Sequence, residues 1–170
     1  RRAVREQVRR GADHIKLTAT GGVLSNTAAG LEQQFSDDEL KAIVDAAHMM
    51  GRKVTAHAHG VSGINGALRA GVDSIEHGSY LDSSSISLFK KTGAYLVPTL
   101  LAGATVGQWA DDPDSFLLPP QRAKARLVAP QLQAMARRAR ASGIKIAFGT
   151  DTGVSKHGEN AKEFPLMVAA

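Results

Sequence analysis

Lys16, His57, His77 and Asp151 stand at matching places in this sequence, each at or just past the end of a short apolar run. The runs read Ile-Lys-Leu-Thr, Val-Thr-Ala-His, Ser-Ile-Glu-His-Gly and Phe-Gly-Thr-Asp. A neutral imidazole is a metal ligand and also moves protons near neutral pH. A carboxylate does both as an anion, and a buried lysine becomes a nucleophile once its pKa falls. The 170 residues contain no cysteine, which removes disulfides, thiolate metal sites and a thiol nucleophile together. A bound metal would therefore rest on His, Asp, Glu or a modified Lys.

Each of these side chains alone has an ordinary structural explanation. A strand lysine snorkels to water, a lone histidine is usually a hydrogen-bonded structural residue, and an aspartate after Gly-Thr caps a turn. Their recurrence at equivalent positions is what argues for a site. Strand alternation lets them share a centre. With His57 inward, Thr55 also points in, and Val54 and Ala56 point out. With Asp151 inward, Gly149 and Ala147 point in, leaving a roomy mouth.

The elements that would position them follow a repeated punctuation: a helical stretch ends at glycine and a short apolar strand follows. Arg1–Arg10 stops at Gly11 before His14–Thr18, and Asp37–Met50 stops at Gly51 before Lys53–Ala58. Val61–Ala70 stops at Gly71 before Ser74–His77, and Ser84–Thr92 stops at Gly93 before Ala94–Pro98. Gln121–Ser142 stops at Gly143 before Ile144–Thr150. Glycine fits the left-handed position just past a helix. Ser36-Asp-Asp-Glu39 reads as a capping box, Pro119 and Pro120 as a helix start, and Pro130 as a kink or break.

Strands alternating with helices imply a parallel sheet with helical crossovers. A dinucleotide-binding sheet wants a glycine fingerprint that Thr20-Gly-Gly-Val-Leu-Ser does not supply. A (β/α)8 TIM barrel keeps its chemistry at the C-terminal ends of several strands, where the unusual residues fall here. The expected class is α/β, a barrel.

Composition is that of a globular chain, 43% hydrophobic and 22% charged. The net charge of +5 gathers in two arginine-rich stretches that read as solvated helix faces. No aromatic stacking platform accompanies them, so nucleic acid is not an expected partner. No apolar run approaches the ~20 residues of a bilayer span, and Arg1–Arg10 lacks the apolar core of a secretory signal. The expectation is a soluble protein, cytoplasmic or periplasmic, with no membrane partner and its oligomeric state open.

Ile15-Lys-Leu-Thr-Ala-Thr-Gly-Gly22, Val54-Thr-Ala-His-Ala-His-Gly60, Ser74-Ile-Glu-His-Gly78 and Phe148-Gly-Thr-Asp-Thr-Gly153 resemble the amidohydrolase superfamily. The likeness is greatest to its prolidase-like (Xaa-Pro dipeptidase) and imidazolonepropionase-like members. The resemblance implies that Lys16, His57, His77 and Asp151 are metal ligands from strands 4, 5, 6 and 8 of the barrel. It further implies a carboxylated Lys16 bridging two divalent metal ions, with zinc the expected occupant of such an N/O site. A metal-activated hydroxide would attack the substrate carbonyl, and Asp151 would take its proton and deliver it to the leaving amine. His59, one step further into the loop than His57, is expected to touch substrate or cap the loop. His157, after the last strand, is a second candidate substrate contact. His14 and His48 read as structural or exposed.

The expected whole is the C-terminal part of the barrel, about strands 4 to 8 across residues 1–170. Strands 1–3, their H-x-H pair and the flanking β-sandwich are expected to lie outside this chain. The expected reaction is cleavage of an amide C–N bond in a dipeptide or N-acyl amino acid. A cyclic amide or lactone hydrolase of the same superfamily is the nearer alternative, and a non-catalytic anion-binding module is the more distant one. Specificity is expected in the loops Leu24–Phe35, Leu101–Leu118 and Thr152–Glu163.

Overall fold

The computed structural model describes residues 1–26 and 30–170. Of the expected specificity segment Leu24–Phe35, residues 27–29 lie outside the described residues. Gly11, Gly51, Gly71, Gly93 and Gly143 all hold positive φ, between 67° and 96°, so each anticipated helix stop is realised.

Between those stops run α1 (Arg2–Arg9), β1 (His14–Thr18), α2 (Asp37–His48), β2 (Lys53–Ala58), α3 (Val61–Ala70) and β3 (Ser74–His77). They are followed by α4 (Ser83–Thr92), β4 (Tyr95–Val97), α5 (Leu100–Asp111), α6 (Pro119–Ala141), β5 (Lys145–Ile146), a 3-10 turn (Asn160–Lys162) and α7 (Glu163–Ala169). The Ser36–Glu39 capping box forms at the start of α2, and Pro119 and Pro120 open α6.

The strands make one parallel sheet in the order β1-β2-β3-β4-β5. A doubly wound sheet reverses its order at a switch point. A monotonic order winds every crossover onto one face, as in a barrel. The chain is thus part of a (β/α)8 barrel. Ile15, Leu17, Val54, Ala56, Ile75 and Leu96 face the helices and share a buried core with Leu40, Val44, Ile64, Leu68 and Phe89. Each large side chain buried there stabilises the fold by about 1.5–3 kcal/mol. Alternation puts Lys16, Thr18, Thr55, His57 and Glu76 on the inner face. The register sets Lys16 beside Thr55, Thr18 beside His57, and His57 beside Glu76.

Three local expectations differ from the structure. The run Ile144–Thr150 is strand only at Lys145–Ile146, extended by one further bond from Ala147 N to Leu96 O of 2.9 Å. Leu101–Leu118, expected as a loop, contains α5. Its glycines serve close helix packing: a β-carbon on Gly107 would stand 3.1 Å from Cβ of Ala129 on α6. Finally, of the kink or break expected at Pro130, the break does not occur: α6 runs through it. The Tyr80 hydroxyl donates to Leu127 O at 3.1 Å, serving a carbonyl in the turn that the proline disturbs. No helix among the described residues is long and apolar enough to cross a membrane.

Candidate functional site

The described non-glycine residues with positive φ are His77 (71°), Thr99 (49°) and Asp151 (52°). His77 ends β3, Thr99 follows β4 and Asp151 follows β5, so successive strand ends turn the same way at the mouth. A left-handed non-glycine residue costs of order 1–3 kcal/mol, and such strain gathers at functional sites.

His57, His59 and His77 converge there, with ligand nitrogens all within 4.8 Å of one another. Their ring centroids lie 4.6–4.8 Å apart, and the rings of His59 and His77 are stacked. One nitrogen of each ring is tethered. His57 Nε2 lies 3.2 Å from Gly21 O, and since a carbonyl only accepts, Nε2 carries the proton and Nδ1 the lone pair. His77 Nδ1 lies 2.6 Å from Thr99 Oγ1, whose single proton goes to Pro98 O at 2.8 Å. His77 Nδ1 is therefore the donor, leaving Nε2 as the lone pair. His59 Nδ1 lies 2.7 Å from Ser79 Oγ.

Burial keeps these rings neutral. It holds His57 below the ordinary histidine range, helped by the charge of Lys16 and opposed by Gly21 O and Asp151. Burial and the neighbouring His57 and Lys124 push His59 down to about 3. His77 is held well below the usual range by burial, then by the other two rings and Lys16. Neutral imidazoles with oriented lone pairs are the form that binds divalent metal, so this nitrogen-rich group fits such an ion.

The cluster opens into a cavity of about 160 Å³. Asp151 lines it together with the three histidines, and Val23, Val106, Val128, Leu132 and Val154 form apolar walls. Of the anticipated residues, the structure thus gathers His57, His59, His77 and Asp151. His59 stands among the possible metal ligands and is only 4% exposed, closer to the centre than its place in the loop suggested. Lys16 is exposed on the inner face of β1 and does not line the cavity. His157 lies exposed on the loop beyond Asp151, outside the cavity lining.

Several supporting residues were not singled out from sequence. Lys124 of α6, 4% exposed, donates through Nζ to Gly22 O at 3.0 Å and Ser25 O at 2.5 Å. It ties down the loop whose Gly21 O holds His57. Asn160 Nδ2 donates to the hydroxyls of Thr150 (3.1 Å) and Thr152 (2.7 Å), pinning both neighbours of Asp151. Glu163 of α7 holds the start of α5. The signal available for Lys124 was a lysine at an apolar helix position, between Ala123 and Ala125. Asn160 and Glu163 offered no local signal.

Comparison with known proteins agrees with this geometry. Residues 1–169 match the model of the Amidohydrolase family. Ochratoxinase from Aspergillus niger is 40% identical over 152 residues, 89% of this chain and 31% of that protein. A crystal structure of a Xaa-Pro dipeptidase with methionine bound in its active site is 47% identical with a TM-score of 0.95, over 98% of this chain and 41% of that one. The crystal structure of A. niger ochratoxinase gives 38% identity and a TM-score of 0.85, over 98% of this chain and 37% of that one. The chain spans less than half the length of each of these relatives.

Proposed function

The chain belongs to the amidohydrolase family, and on that premise we propose that it forms the metal-binding, proton-moving part of a hydrolase that cleaves amide bonds. The substrate class is a dipeptide or an N-acyl amino acid, and residues 1–170 are the C-terminal part of the enzyme's barrel. The observation that carries this reading is the convergence of three neutral histidines, His59 and His77 buried and His57 half-buried, beside Asp151 in one cavity at the strand ends.

Lys16, His57, His77 and Asp151 would hold two divalent ions, zinc being the expected pair, with Lys16 carboxylated as the bridge. Bound there, such ions supply a Lewis acid for the substrate carbonyl and acidify a nearby water. The remaining work belongs to the chain. Asp151 accepts the water's proton and passes it to the departing amine. Thr99 keeps the His77 ring from turning, and Gly21 O does the same for His57. His59 faces the substrate side of the cavity, and His157 is a rim contact. The apolar walls exclude bulk water and take up the substrate's carbon skeleton. Relatives described as a dipeptidase and an ochratoxinase support amide chemistry.

The test pairs metal content with hydrolysis. The whole purified protein is assayed on dipeptides, N-acyl amino acids, cyclic amides and lactones, beside His57→Ala and His77→Ala. Both variants are expected to lose metal and amide hydrolysis together. Full metal occupancy in both variants, or a metal-loaded wild type that cleaves no amide, would sink the proposal.

A further inference from the structure

Glu163 is a buried carboxylate with no role in the chemistry described so far. It is 0% exposed, and no ion pair to it is found among the described residues. Its oxygens accept from Leu100 N at 2.9 Å and Leu101 N at 2.6 Å. Those are the opening N–H groups of α5, which have no acceptor within the helix. Burying a carboxylate costs several kcal/mol unless strong hydrogen bonds offset it. The helix N-terminus supplies them, together with the positive end of its dipole.

A nearer cap is at hand and is not used. Thr99 occupies the N-cap position of α5, and threonine is a good N-cap residue. Yet its side chain makes no capping bond. Its hydroxyl lies 2.6 Å from His77 Nδ1 and donates to Pro98 O instead, from a left-handed backbone with φ 49°. The capping role has passed to a residue more than sixty positions away in sequence.

We propose that Glu163 is a positioning residue: it caps α5 in place of Thr99 and thereby leaves the Thr99 hydroxyl to orient the His77 ring. The functional weight of this relay rests on His77 serving the site as described above. The carboxylate presents one charged oxygen to each N–H, whereas an amide has a single, neutral oxygen for both. With one acceptor gone, Thr99 is drawn back toward capping α5, and His77 loses the partner that fixes its tautomer.

The experiment compares Glu163→Gln, Thr99→Val and the double variant in the whole protein. In the metal-free wild type, ¹⁵N NMR should show His77 as the Nδ1–H tautomer, and Glu163→Gln should give a mixture with the Nε2–H form. In the metal-loaded enzyme, Glu163→Gln should lower kcat by about 10- to 100-fold with KM nearly unchanged. In the Thr99→Val background it should cost almost nothing further, because the two act through one relay. An unchanged His77 tautomer, or an equal loss of kcat in both backgrounds, would reduce Glu163 to a simple helix cap. Should the Gln variant not fold, Thr99→Val asks the same question from the other end. It removes the hydroxyl but not the cap, so the tautomer should shift while the thermal midpoint stays within a few degrees. A large loss of stability there would overturn the division of labour. The NMR readout needs neither metal nor substrate, so it holds or fails separately from the hydrolase reading.

Discussion

Gly22 faces the ring of His57 so closely that a β-carbon on it would stand 3.2 Å from Cε1 and 3.3 Å from Nε2. The ring end in question is the one that donates to Gly21 O. Gly22→Ala should therefore displace the imidazole rather than the fold, since the ring must give by a few tenths of an ångström and no core residue is met. Turnover is expected to fall by about 10- to 100-fold, as when the partner of a ligand is disturbed, with little change in the thermal midpoint. Wild-type turnover in Gly22→Ala would mean that the position of this ring does not matter to the reaction.

Lys124 acts on the same loop from α6. Lys124→Met keeps most of the volume but removes the ammonium that donates to Gly22 O and Ser25 O. A buried carbonyl that loses its partner costs about 1–3 kcal/mol, and these two are half-buried, so the lower end of that range applies. Denaturant unfolding should show a loss of that size. KM should rise more than kcat falls, because Gly22, Val23, Leu24 and Ser25 line the cavity. Unaltered stability and KM would show that the loop is held by other contacts.

The two supporting residues also show what sequence can and cannot reveal. Strands β1, β2 and β3 were legible to the residue, because a glycine stop precedes each of them and a polar residue stands at or within one position of its end. Lys16, His57, His77 and Asp151 stood out for the same reason: the barrel places chemistry where a strand ends. The α5 helix was hidden because Gly103 and Gly107, which read as loop residues, meet Leu132 and Ala129 across a helix pair. His59 shares a strand face with His57 by simple alternation, so its convergence was in principle readable. The Glu163 cap was not. It joins segments more than sixty residues apart, and no local pattern announces such a contact.

Stability in acid should depend on the opposite end of the barrel. Asp73 precedes β3 and accepts from Lys53 Nζ at 2.7 Å and Val54 N at 2.8 Å, with His48 Nε2 at 2.8 Å. Burial alone would push its carboxyl up, but these partners hold it at about 2, below its ordinary 3.8. A depressed carboxylate stabilises the fold above its unfolded pKa, and that contribution is lost as pH falls toward the folded value. The thermal midpoint should therefore drop between about pH 4 and pH 2, and Asp73→Asn should flatten that drop while lowering the midpoint at pH 7. An identical pH profile in the variant would show that Asp73 is not a source of acid sensitivity.

Asp151 bears the most mechanistic weight. Its left-handed backbone turns it into the cavity from the end of β5. Asn160 pins the threonines on either side, so the turn holds its shape independently of the carboxylate. Asp151→Asn keeps that shape and tolerates the left-handed conformation, which asparagine adopts readily, but it removes the basicity. Folding should therefore be little affected, and the other proposed ligands, Lys16, His57 and His77, should still retain detectable metal. Turnover should fall by roughly 10²–10⁴-fold, the usual contribution of a general acid–base group. The comparison is made on metal-saturated wild type and variant with one active amide substrate. A variant that turns over at the wild-type rate would make Asp151 a turn residue, and the proton would have to travel by another group.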